Sequence, residues 1–175
     1  AINFLLQFFY AWMVIYTPVY LHQNLGFGWG DIGIILSIML IPFLVIEGPL
    51  GRLADKVLGE KEMLVVGFVI MSTATTLMSF VTGTSFLMWA TLLFMTRVGA
   101  ALIEIMSETY FFKKIGSSDA DIISLQRSVR PFAGIVAPLL ATALLPFVQL
   151  QYLFVILGIV VLCGLSPALK LRDTK

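Results

Sequence analysis

Charge is what this sequence has least of. Only 12% of its 175 residues are Asp, Glu, Lys or Arg, whereas a water-soluble domain carries about 25%. That shortage excludes an all-round aqueous shell. Against it stand 59% hydrophobic residues and a mean hydropathy of +1.01, so the surplus apolar surface has to meet lipid. Cysteine and histidine are scarcer still, with one of each. Cys163, alone in the last apolar run, forms no intrachain disulfide and is expected to pack as a small apolar side chain. His22, without a second histidine, rules out a histidine-based metal cluster. The first apolar run lacks a basic flank, so it does not read as a cleavable signal peptide. No nucleotide-binding loop, zinc-ligand spacing or nucleophile–base set is present. Gly26, Gly28 and Gly30 form G-x-G-x-G, but they join two apolar runs rather than a strand and a helix. No enzyme activity, cofactor, metal or nucleic-acid partner is therefore expected.

What is present is a succession of apolar runs, each near the roughly 20 residues that span a bilayer as a helix. They fall at about 2–21, 32–50, 63–81, 86–112, 122–148 and 152–169. Turn-forming residues separate them: the glycines from Gly26 to Gly30, then Leu58–Glu60, Thr82–Thr84, Gly116–Asp119 and the short link Gln149–Gln151. The expected fold is all-α and membrane-embedded, a single bundle of six spans filling residues 1–175.

Basic residues divide the connections into two kinds. Arg52, Lys56 and Lys61 lie between spans two and three, and Lys113 and Lys114 between four and five. Arg127 and Arg130 open span five, and Lys170, Arg172 and Lys175 follow span six. The connections after spans one, three and five carry no Lys or Arg. The positive-inside rule then puts both termini and the charged loops in the cytoplasm, in a plasma or bacterial inner membrane. Tyr16, Tyr20, Trp29, Trp89 and Tyr152 fall near the outer ends and read as headgroup anchors.

The loop after span two reads Gly51–Arg52–Leu53–Ala54–Asp55–Lys56, then Gly59, Glu60 and Lys61 after a one-residue insertion. Gly51 permits a tight exit and close helix approach. Asp55 can meet a helix N-terminus or an arginine, while Lys56 and Lys61 stay in water. A plain topogenic loop would need only the charges. The order and place of these residues resemble the signature loop of the major facilitator superfamily, between the second and third helices of each half. In span five, Gly134–Ile135–Val136–Ala137–Pro138 is similar to the G-x-x-x-G-P element of that superfamily's antiporters, with Ala137 in place of the second glycine. Ala133, Gly134, Ala137 and Ala141 would there allow close helix contact. The resemblance implies half of a twelve-helix transporter, six helices built as 3+3 inverted repeats. The abrupt start and short basic tail suggest the carboxy-terminal half; a half-size protein that pairs with a parallel copy is the other arrangement. A partner bundle, a small solute and the lipid bilayer are the partners it implies.

Ionisable groups inside spans are costly and become the first functional candidates. Span four carries Arg97, Glu104 and Glu108 at spacings of about two and one helical turns, on one face. Arg97 needs a partner, either Glu104 or Glu47 of span two. Glu108 lies nearer the cytoplasmic end, within reach of the loop bases or those of span five. On span one, Asn3, Gln7, Tyr10, Val14 and Thr17 share a face, which meets either a cavity or another helix. Two groups follow. Asn3, Gln7, Tyr10, Thr17, Arg97 and Glu104 are expected along a solute pathway, with a buried structural ion pair as the alternative for the charges. Glu47, Gly51, Asp55, Lys56, Lys61, Glu108 and Arg130 are expected at a cytoplasmic gate. The hydroxyls of span three, Ser72 to Ser79, read as packing groups bonded to their own helix. Taken together these features favour a secondary transporter working by alternating access. A non-transporting bundle acting as receptor, scaffold or partner subunit is the competing reading.

Overall fold

The computed structural model describes the backbone of residues 1–56, 59–114 and 120–171, and side chains at residues 1–45, 59–113 and 124–171. Every regular element among these is helical. The α-helices are α1 (Ile2–Gln23), α2 (Trp29–Lys56), α3 (Glu60–Met78), α4 (Phe86–Lys114), α5 (Ala120–Leu144), α6 (Leu153–Leu162) and α7 (Leu165–Leu169). A 3-10 turn, Leu150–Tyr152, leads into α6. The last apolar run is thus one rod broken by a turn at Cys163–Gly164. Gly164 sits against Phe68 of α3, where a side chain would collide with the ring. Cys163 itself is exposed at this turn and does not fill the interior.

Among the described residues four stretches are long and apolar enough to cross a membrane: Ile2–Gln23, Glu60–Met78, Phe86–Lys113 and Leu150–Leu169. In α2 the described side chains end at Val45, and the part up to there, Trp29–Val45, is apolar. In α5, Gln126, Arg127 and Arg130 dilute the apolar content of the first half.

Packing follows residue size. α3 and α4 cross closely because Gly99 meets Gly67: a Cβ on Gly99 would lie 2.6 Å from the Met71 backbone nitrogen and 2.7 Å from the Gly67 carbonyl oxygen. α5 lies along α1 through Ala133, Ala137 and Ala141, each fully buried, while Phe132, Ile135 and Leu139 point outward. Gly134 has open space around it and takes no part in that contact. Tyr16 of α1 ties the two helices, donating to the Pro138 carbonyl at 3.1 Å and sitting 2.9 Å from the Thr142 hydroxyl.

The hydroxyls of α3 divide into two kinds. Thr75 bonds back to the Met71 carbonyl of its own helix at 2.6 Å. Ser72 and Ser79 instead reach across to the Gly158 and Gln151 carbonyls, at 2.8 and 2.6 Å, and stitch α3 to the last rod. Three of the aromatic residues read as rim anchors belong to the core. Tyr20 and Trp89 lie 5.6 Å apart, Tyr20 stands edge-on to Phe154 at 5.3 Å, and Tyr16 is buried beside Trp12. The Trp89 indole donates to the Gly83 carbonyl at 2.9 Å, so its polar edge is satisfied without headgroups. Trp29 and Tyr152 remain exposed.

Candidate functional site

Arg97 is buried, with 5% of its surface exposed. Among the described residues it forms no ion pair with Glu104, and its Nε has no hydrogen-bond partner. Tyr10 stands between the two charges. Its hydroxyl donates to Glu104 Oε2 at 2.7 Å, and the Arg97 guanidinium carbon lies 4.8 Å from its ring centre. Phe43 of α2 is stacked edge-on against Tyr10 at 6.2 Å and lies 6.0 Å from the guanidinium. A charge at mid-span costs about 3 kcal/mol on insertion scales. A desolvated cation–π contact returns about 2 kcal/mol, so two rings can hold Arg97 without a carboxylate against it. Phe43 gave no signal in the sequence, because nothing distinguishes it from the other phenylalanines of the apolar runs.

Glu104 turns from this cluster into a cavity of about 420 Å³ among α1, α4 and α5. Asn3 and Gln7, one turn apart on α1, form one wall. Glu104 and Glu108 form a second on α4, and Arg127 and Arg130 a third on α5. Residues assigned to pathway and gate thus border one space: Asn3, Gln7 and Glu104 from the first group, Glu108 and Arg130 from the second. Tyr10 and Arg97 lie directly behind Glu104. Thr17 is not brought to the cavity. It is buried near the other end of α1, with its hydroxyl on Met13 Sδ at 3.5 Å. Val14, on the same helical face, is largely exposed.

The remaining gate candidates divide by position. The side chains of Glu47, Gly51, Asp55 and Lys56 lie outside the described residues. Lys61 is half-buried in the first turn of α3. Beside it, Glu60 accepts a 2.6 Å ion pair from Lys113 at the end of α4. Its side chain is 6% exposed, so the pair covers one end of the α3–α4 crossing. Glu60 departs from the base usual at its place in the signature loop, and that departure was the only hint in the sequence. Arg127 and Gln126 also join the cavity wall. Among the described residues no group of His, Cys, Asp and Glu is placed to hold a metal ion.

Helices long and apolar enough to cross a membrane, packed around a buried arginine beside a polar cavity, define a class, that of helical membrane proteins. The chain belongs to the Major Facilitator Superfamily, whose family model matches residues 1–175. That superfamily is one of membrane transporters rather than enzymes. No curated protein matches the chain closely enough to name a substrate.

Proposed function

We propose that the chain is a secondary active transporter, or one half of one, that moves a small solute by alternating access. The observation that carries the reading is the cluster of buried Arg97 with half-buried Tyr10 and Glu104 at the head of a polar cavity. A structural pair would be expected to join the two charges directly; here the carboxylate faces open space and the arginine rests on rings. Asn3, Gln7, Tyr10, Arg97 and Glu104 then serve the solute pathway. Glu108, Arg130 and the loop residues Glu47, Gly51, Asp55, Lys56 and Lys61 serve the cytoplasmic gate. The architecture we infer is six spans in 3+3 inverted repeats, with both termini cytoplasmic. Either another six-helix half or a parallel second copy completes it, because the one-sided basic loops forbid an inverted partner.

The test is flux through the full polypeptide in proteoliposomes. Arg97→Ala and Glu104→Gln should each lower uptake at least about tenfold at normal membrane levels, since the first removes the cation held against Tyr10 and Phe43 and the second the carboxylate that borders the cavity. Unchanged rates for both would sink the pathway assignment. A folded, unmodified protein that moves no solute at all would leave the non-transporting bundle.

A further inference from the structure

Two arginines of α5 line the cavity that α1 and α4 also border. Arg127 and Arg130 are spaced by three residues and so share a helical face. Both are exposed, and among the described residues neither forms a hydrogen bond or an ion pair. The carboxylates of α4 are already engaged. Glu104 accepts the Tyr10 hydroxyl at 2.7 Å, and Glu108 has a partner of its own. Asn3 and Gln7, one turn apart on α1, likewise form no hydrogen bond among the described residues. The groups left open around this space of about 420 Å³ are thus rich in donors and positively charged.

A second cavity, of about 500 Å³, adjoins the first, and the two share Asn3, Phe111 and Gln126. The rest of its lining is mostly apolar, from Ile2, Phe4, Leu125, Val129, Pro167 and Leu171. Of its other polar side chains, Ser107 donates to the Glu104 carbonyl of its own helix at 3.0 Å, and Tyr110 has a partner. The open polar groups of the apolar chamber therefore stand at its border with the charged one. Gln126 is half-buried there, and its side-chain oxygen is buried without a hydrogen-bond partner. A terminal amide turns over readily, so at this border it can meet a donor or an acceptor. Each chamber lies within the roughly 300–1,000 Å³ usual for small-molecule sites.

Resting on the transporter reading above, we propose that the solute is a small organic anion with an apolar body. Its acidic group lies against Arg127 and Arg130, and its body fills the chamber bordered by Leu125, Val129 and Pro167. Planar guanidinium groups bond the paired oxygens of an acid with matched geometry. A cation would face two unpaired arginines and carboxylates that already have partners. A neutral solute would leave both arginines uncompensated as water leaves the closing cavity. A short anion would meet the arginines but forfeit the burial of apolar surface in the second chamber. An anionic lipid offers the same two parts, and vesicle composition separates it from a free solute.

The experiment uses the full polypeptide in phosphatidylcholine proteoliposomes, with flux taken above that of protein-free vesicles. Radiolabelled probes are aromatic and branched-chain carboxylates, the matched amines, acetate and hexoses; the matched primary amides serve as unlabelled competitors. The expected result is uptake of at least one apolar carboxylate, with its amine and acetate each about tenfold slower or worse. Its amide should compete about tenfold more weakly than the acid itself. Arg127→Gln and Arg130→Gln should each raise the KM for that carboxylate about tenfold, and Arg127→Lys should restore part of the loss. Val129→Asn should narrow the gap between the apolar carboxylate and acetate. An amine, a hexose or acetate moved as well as the apolar carboxylates would overturn the inference and leave the transporter reading standing. So would an undiminished preference for acid over amide in both glutamine variants. Loss of carboxylate uptake on adding phosphatidylglycerol to the vesicles would assign the site to a lipid and also overturn it. Failure of every probe to be moved, with the protein folded, removes both readings. Selectivity is decided on the unmodified protein, so a variant that misfolds does not shelter the proposal.

Discussion

Tyr10 does two separable things, and substitution can separate them. Its hydroxyl donates to Glu104, and its ring lies under the Arg97 guanidinium. Tyr10→Phe removes the first and keeps the second. The loss of a hydrogen bond to a charged group costs about 1.5–3 kcal/mol. Tyr10→Leu removes both, and a desolvated cation–π contact adds about 2 kcal/mol. Thermal unfolding in detergent should therefore rank the wild type above Tyr10→Phe, and that above Tyr10→Leu. Equal melting of the two variants would mean that the ring does nothing for Arg97. Much of this cluster was legible in the sequence, because charges in an apolar run are conspicuous and Tyr10 lies on the polar face of α1. The contact order within it was not. Arg97 and Glu104 share a helix face, which favours a direct pair, yet a tyrosine from another helix fits between them. The same face of α1 misleads at Thr17: the helix keeps its period, but the neighbour it meets changes along its length, from cavity to open surface to core.

Small residues set how closely the elements approach, and they sort into those that matter and those that do not. Gly99→Ala would force a methyl against the Met71 nitrogen and the Gly67 carbonyl, both backbone atoms that cannot swing aside. Overpacking of this kind costs about 1–3 kcal/mol. Gly134→Ala meets nothing within 4 Å and sits inside a helix. There alanine is favoured over glycine by about 0.5–1 kcal/mol. The pair of variants should move the melting temperature in opposite directions, and a drop of equal size in both would refute the close crossing at Gly99. The sequence showed the alanine stripe of α5 and its purpose, since four-residue spacing stacks small groups on one face. It did not show that Gly134 falls off that face, nor that Ser72 and Ser79 bond across to the last rod. Such hydroxyls have an acceptor within their own helix as well, and only the neighbour's position decides between the two. The Glu60–Lys113 pair was hidden for the same reason, its members being 53 residues apart.

At the scale of the whole molecule the open question is which helices cross. α1, α3, α4 and the last rod have the length and hydropathy to do so; the side chains of α2 are described only as far as Val45, and α5 carries two arginines in its first half. The orientation proposed from the charge pattern expects both to cross. If α2 did not, the connection after α1 and the basic loop before α3 would share a side, and the one-sidedness of the Lys and Arg residues would be lost. The arginines of α5 border the cavity that Glu104 and Glu108 also line, as charges within membrane bundles usually do. Single cysteines in a Cys163→Ser background settle it, using a thiol reagent that does not cross membranes. Asn24→Cys, Gly83→Cys and Gln149→Cys should react from outside, and Glu62→Cys and Lys170→Cys only after the membrane is opened. Asn24 and Glu62 bracket α2, so reaction of both from one side would show that α2 lies in the bundle without spanning. Gln149 reacting only from within would say the same of α5, because Gly83 and Gln149 are separated by α4 and α5 alone. Either result would reduce the number of spans and leave the cavity walls of α4 and α5 facing a different compartment from the one that the gate assignment requires.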